Sequence, residues 1–160
     1  MNRDDAATMS ESLTHYDAEG NARMVDVSEK PPLAREAIAE AFFLAAPTTI
    51  DRILANDLPK GEALAVARVA GIQAAKRCAE LVPLCHVLPL THASVDFERT
   101  EPGRLRISAC VRTIERTGVE MEALCASSIA ALTLWDMVKG VDAELAVTDV
   151  VLVSKTKAEV

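Results

Sequence analysis

The sequence predicts an α+β domain in which an antiparallel sheet is covered on one face by helices, close to a ferredoxin-like topology. Its 160 residues suit a single compact core. Residues 94–99 and 104–112 flank the turn-rich Glu101-Pro102-Gly103, as the arms of a β-hairpin do. Long Ala-rich helical stretches lie before and after that hairpin, and an apolar run follows near the end of the sequence.

Residues 1–12 are polar and are predicted to form a flexible N-terminal tail, leaving 13–160 as one domain. The tail has neither the apolar core of a signal peptide nor a membrane-spanning run. Residues 24–27 alternate apolar and polar as a short strand would, and Pro31-Pro32 blocks helix and marks a turn. The run from Arg35 to Leu44 is rich in Ala and Glu, which predicts a helix from about residue 33 to the break at Pro47. A short second helix fits 49–56. After Pro59-Lys60-Gly61 comes the longest helical stretch, 62–81, where Val66, Val69, Ile72 and Ala75 interleave with Arg68, Gln73, Lys76 and Arg77. Pro83 ends it. Residues 84–92 lack a clean period and read as a loop carrying Cys85, His86 and His92. After the hairpin a helix is predicted over 119–141 and a last strand over 146–153.

The formal net charge of −7 excludes duplex nucleic acid and anionic membrane surfaces as partners, since both select clustered Lys and Arg. A small anionic substrate is compatible with it, because one pocket needs only a few cations. Half the residues are hydrophobic, yet Trp135, Tyr16 and three Phe are the only aromatics, so the core should be aliphatic and small-residue and should lean on a partner subunit. Cys78, Cys85, Cys110 and Cys125 lack a secretory context, which predicts reduced thiols and a cytoplasmic protein.

Among the polar residues, Asp136 and Lys139 stand at i and i+3 on a predicted helix, so their side chains meet on one face. They form either a surface ion pair, worth about 0.3–0.5 kcal/mol, or a proton-transfer pair. Apolar neighbours on that helix predict burial, which gives charges there a partner or a task. Glu120 and Glu122 lie about 200° apart on a helix and should straddle its start, one capping and one facing a pocket. Glu122 and Asp136 return to nearly the same face but are separated by about 21 Å along the axis. His86 sits in a loop bracketed by Pro83 and Pro89, where a histidine suits acid–base work or phosphate contact. A cysteine nucleophile at Cys85 is a second reading. Adjacent Cys85-His86 with a six-residue step to His92 does not match zinc-ligand spacing, so no metal is expected. Neither a Walker-type loop at Lys60-Gly61 nor a G-x-G-x-x-G occurs, so any phosphate falls to side chains such as Lys60, Arg68, Lys76, Arg77 and Lys155.

Five motifs stand in one order: Leu13-Thr14-His15 with Met24-Val25-Asp26-Val27; the run from Ala67 to Arg77; Leu84-Cys85-His86; the run from Thr117 to Leu124 containing Gly118-Val119-Glu120-Met121-Glu122; and Trp135-Asp136-Met137-Val138-Lys139. Together they resemble the cyclic pyranopterin monophosphate synthases of molybdenum cofactor biosynthesis, over residues 13 to about 155. The resemblance implies conversion of (8S)-3',8-cyclo-7,8-dihydroguanosine 5'-triphosphate to cyclic pyranopterin monophosphate and diphosphate, with no metal or organic cofactor. It also implies a homohexamer, a trimer of dimers, with the active site where two subunits meet. By the same resemblance Asp136 and Lys139 are catalytic, Leu84, Cys85, His86, Met121 and Glu122 contact substrate, and Lys60, Glu120 and Lys155 line the pocket. The sequence departs from the family pattern in Val87 for a usual Pro, Trp135 for a usual Tyr, and the absence of a Gly-rich basic tail after the last strand. Those departures leave a second functional reading, a non-catalytic relative that keeps fold and oligomer as a binding or regulatory subunit.

Overall fold

A computed structural model describes residues 17 and 19–160. The predicted tail and Leu13-Thr14-His15 lie outside them. The elements are β1 (Leu33–Leu44), α1 (Pro47–Leu54), α2 (Ala63–Lys76), α3 (Cys78–Leu81), β2 (Leu90–Glu101), β3 (Arg104–Glu115), α4 (Glu120–Val138) and β4 (Ala146–Ala158). The four strands form one open antiparallel sheet in the order β2-β3-β1-β4. β2 and β3 are a hairpin, and the other two connections run through helices that pack on one face of the sheet, so the domain is α+β.

The predicted helix at 33–44 is the strand β1, at the centre of the sheet. Ala37, Ala39, Ala41 and Phe43 alternate with Glu36, Ile38, Glu40 and Phe42, and the first set is fully buried. Ala and Glu favour helix over strand by less than about 1 kcal/mol per residue. Pairing on both edges, with β3 and β4, overrides that preference. Residues 24–27 form no strand, and His92 lies in β2 instead of a loop. The long predicted helix breaks at Arg77 into α2 and α3, α4 stops at Val138, and β4 runs on to Ala158.

Small residues set the layer spacing. The inner alanines of β1 face α4, whose Ala123, Ala126, Ala130 and Ala131 are buried in turn. α2 meets α4 at Gly71, where a Cβ would lie 2.8 Å from the Ala126 carbonyl oxygen and 2.9 Å from Val95 Cγ2. α4 is long and apolar enough by length and composition to cross a membrane, but here it is the core helix, with half of its apolar window buried. Two further details place the site. Asp142, just after α4, caps α1 from a distance by accepting from Ala46 N (2.9 Å) and Thr49 Oγ1 (2.8 Å). In β4, register shifts opposite Ile38/Ala39 and Glu40/Phe42 bring Lys155 opposite Ala37 and Lys157 opposite Arg35.

Candidate active site

Two polar clusters form at opposite ends of α4. At its C-terminal end the Asp136 carboxylate accepts from Lys139 Nζ at 2.7 Å and from Lys60 Nζ at 2.9 Å, and Lys60 also donates to the Asp136 carbonyl at 2.6 Å. The i, i+3 spacing thus makes the expected contact, and Lys60, on the loop after α1, joins it. The expected burial does not occur: the side chains of Asp136 and Lys139 are 57% and 59% exposed, because they lie on the flank of α4 that faces neither α2 nor the sheet. Their charges are solvated, and stability does not demand the pairing. The Lys139 ammonium first, and the Lys60 ammonium second, hold Asp136 down at about 2.

The N-terminal end of α4 is different in kind. Glu122 is only 4% exposed, and burial pushes its pKa above the ordinary carboxylate value. Glu120 points to the strands and accepts from Lys155 Nζ at 3.1 Å. Neither glutamate caps the helix, which has no side-chain cap at Val119; both lie in its first turn, where the dipole favours them. His86 reaches Val25 O through Nε2 at 2.8 Å, which ties the Leu84-Cys85-His86 loop to the segment before β1. Glu122, Glu120 and His86 line a cavity of about 490 Å³ with Leu84, Leu88 and Met121 as its apolar wall, inside the roughly 300–1,000 Å³ typical of small-molecule sites.

Behind Glu122 lies a thiol pair, Cys78 and Cys125, with sulfurs 3.8 Å apart. Burial first, then the Glu122 carboxylate, pushes the Cys78 thiol far up. Cys85 is also raised, chiefly by burial. A nucleophile needs thiolate, so these surroundings disfavour Cys85 in that role. Arg68, counted among the phosphate candidates, donates to Val95 O at 3.0 Å and stacks over Phe97, which makes it a strut between α2 and β2.

The fold adds three cations that the sequence reading passed over. Lys30 lines the larger cavity. Arg35 and Lys157 line an adjoining one of about 250 Å³ that shares Gly118 and Glu120 with it. Arg35 was hidden in a stretch read as helix, and its meeting with Lys157 depends on β1/β4 register, which no local pattern encodes. Lys30 beside Pro31-Pro32, a constrained loop, carried the one usable signal.

His86, Cys85, Leu84, Glu120, Glu122, Met121 and Lys155 therefore gather at one end of α4, and Asp136, Lys139 and Lys60 at the other. From Glu122 to Asp136 the helix advances about 21 Å. A buried carboxyl with a histidine stands at one end, and a carboxylate clamped by two ammonium groups at the other.

The sequence model of the MoaC family matches residues 24–158. The chain is 54% identical over 146 residues to the cyclic pyranopterin monophosphate synthase of Chloroflexus aggregans, covering 91% of this chain and 88% of that protein. It is 55% identical over 144 residues to the enzyme of that name from Chloroflexus aurantiacus, covering 89% and 88%. With the Roseiflexus sp. protein of the same name it shares 50% over 145 residues, covering 90% and 92%.

Proposed function

The chain belongs to the MoaC family, and from that premise we propose how its two polar clusters serve cyclic pyranopterin monophosphate synthesis. The protein is a lyase of molybdenum cofactor biosynthesis: it converts the cyclic dihydroguanosine triphosphate to cyclic pyranopterin monophosphate with release of diphosphate. The near-full-length match to three synthases carries this reading, and no observation favours a non-catalytic relative.

Opening the purine five-membered ring, forming the pterin and closing a cyclic phosphate each require protons to move at several atoms, which calls for positioned acids and bases. Glu122, whose pKa burial raises, holds its proton more tightly than an ordinary carboxyl and serves as a proton carrier, with His86 beside it in the same cavity. Asp136 at about 2 is a poor proton acceptor as it stands. Its work is to hold Lys60 and Lys139 in place; when the anionic substrate draws those ammonium groups away, Asp136 gains basicity as Lys139 stabilises developing negative charge. Leu84, Cys85 and Met121 shape the apolar wall, and Glu120 orients Lys155.

Neither cluster suffices alone. The fold is ferredoxin-like, and the active site is completed where two subunits meet, the C-terminal cluster of one facing the cavity of the other. The assembly is a homohexamer, a trimer of dimers, in the cytoplasm. Exposed apolar residues support self-association: Val150, Val151, Leu152 and Val153 run along edge strand β4, and Val66, Val69 and Leu132 lie on the helices.

The test supplies the cyclic dihydroguanosine triphosphate to purified protein and follows diphosphate and pterin. Turnover is expected, with Asp136→Asn and Lys139→Ala abolishing it while the circular dichroism spectrum shows that the protein stays folded. Absence of turnover by the wild type refutes the activity, near-normal rates in either variant refute the assigned roles, and a monomeric mass in sedimentation refutes the shared site.

A further inference from the structure

The cavity at the β1/β4 end of the sheet is small, about 250 Å³, below the size that takes a whole nucleotide-sized ligand. It adjoins the larger cavity across Gly118 and Glu120, so one ligand can run from one into the other. The two differ in chemistry. The larger offers an apolar wall and a buried carboxyl, which suit a ring system. The smaller is lined by Arg35, Lys155 and Lys157 against Glu36 and Glu120. Both carboxylates are already engaged, Glu120 with Lys155 and Glu36 with Arg112. The Arg35 guanidinium is fixed in place by donating to the carbonyls of Glu115 (2.8 Å) and Arg116 (3.1 Å), which leaves its charge uncompensated. Lys157 makes no ion pair among the described residues and lies opposite Arg35 across the β1/β4 ladder. In a chain of net charge −7, three cations converging on one cavity with two uncompensated charges form a place for a compact polyanion.

We infer that Lys157, together with Arg35 and Lys155, seats the two terminal phosphates of the substrate, the portion released as diphosphate, while the ring system occupies the larger cavity. This rests on the synthase reading. Lys157 is then a leaving-group residue: it binds the triphosphate before reaction and holds diphosphate afterwards. Lys155 has to exchange Glu120 for phosphate, whereas Lys157 is free to bind from the start.

Binding of inorganic diphosphate by calorimetry, at fixed ionic strength, is the direct measurement, made beside the KM for the cyclic triphosphate and the inhibition constant of diphosphate. Lys157→Met is expected to weaken diphosphate binding and inhibition about tenfold and to raise KM by a similar factor, the loss of one charge-assisted contact. Lys157→Arg should restore both. Arg52→Gln removes a cation paired with Asp57 on the surface and should change neither, which separates a seated contact from a general charge effect. Unchanged diphosphate binding in Lys157→Met, or an equal loss in Arg52→Gln, overturns the inference. If the wild type binds diphosphate through Lys157 yet does not turn the substrate over, the seat stands and the synthase reading falls.

Discussion

Gly71→Ala tests whether α4, which carries both polar clusters, is held by contact with α2. In an exposed helix interior this change stabilises by about 1 kcal/mol, because Ala is the better helix former. Here the new Cβ meets the Ala126 carbonyl oxygen at 2.8 Å, Val95 Cγ2 at 2.9 Å and Ala130 Cβ at 3.2 Å. The first is backbone in the middle of a 19-residue helix, and Val95 is fully buried in β2, so neither yields cheaply. Overpacking typically costs about 1–3 kcal/mol, and two contacts under 3.0 Å place this case near the top of that range. The steric cost exceeds the propensity gain, and the net destabilisation is about 2 kcal/mol. For a domain of this size that lowers Tm by about 4–8 °C. Thermal unfolding followed by circular dichroism measures it, with Gly140→Ala as control, since nothing lies within 4 Å of a Cβ there. Adding Val95→Ala should make Gly71→Ala less costly than it is alone, a favourable coupling between touching sites. A Gly71→Ala protein that melts at or above the wild-type temperature refutes the close approach of the helices.

Two titrating groups give further expectations. Burial raises the Glu122 pKa above its ordinary 4.5, so the folded state holds that proton more tightly than the unfolded chain. Stability from this group is therefore present below the unfolded value and declines as pH rises through the window up to the folded value. Glu122→Gln should flatten that decline in urea melts between acid and neutral pH and stabilise the protein at pH 7 while turnover is lost; an unchanged pH slope refutes the buried charge. Asp136 has the opposite sign, because its folded value of about 2 lies below the ordinary 3.8: its contribution is full above 3.8 and is lost as pH falls toward 2. Carboxyl NMR titration should show Asp136 rising in both Lys139→Met and Lys60→Met, more in the former because Lys139 is the larger cause. The reverse order refutes the assigned geometry.

What the sequence made legible followed from local rules. The hairpin, α1, α2, α4 and the final strand each carried their own periodicity or punctuation, such as the Pro-Gly turn at 102–103 or the break at Pro83. β1 did not, because its inward residues are mostly alanine. Ala37, Ala39 and Ala41 do alternate with larger or charged residues, but alanine is also the best helix former, and only pairing with β3 and β4 decides for strand. The Asp136–Lys139 contact was legible because i, i+3 geometry is intrinsic to a helix. Its exposure was not, since apolar composition does not say which flank of a helix faces the sheet. Glu122 burial and the meeting of Arg35 with Lys157 depend on long-range register and packing, which no short window contains.

The 21 Å length of helix between the two clusters leads to a test that needs no structure of the assembly. Asp136→Asn and Glu122→Gln each remove one half of the machinery, and each homo-oligomer should be inactive. If every site takes its C-terminal cluster from one subunit and its Glu122 cavity from another, a dimer containing one of each variant has one doubly damaged site and one intact site. Unfolding and refolding an equal mixture makes about half of the dimers mixed, so about a quarter of wild-type sites return. If both clusters serve one site within a single subunit, every site in the mixture carries a lesion and no activity returns. Recovery to about a quarter supports the shared site. Co-sedimentation of differently tagged variants, showing that subunits did exchange, makes a null result decisive against it.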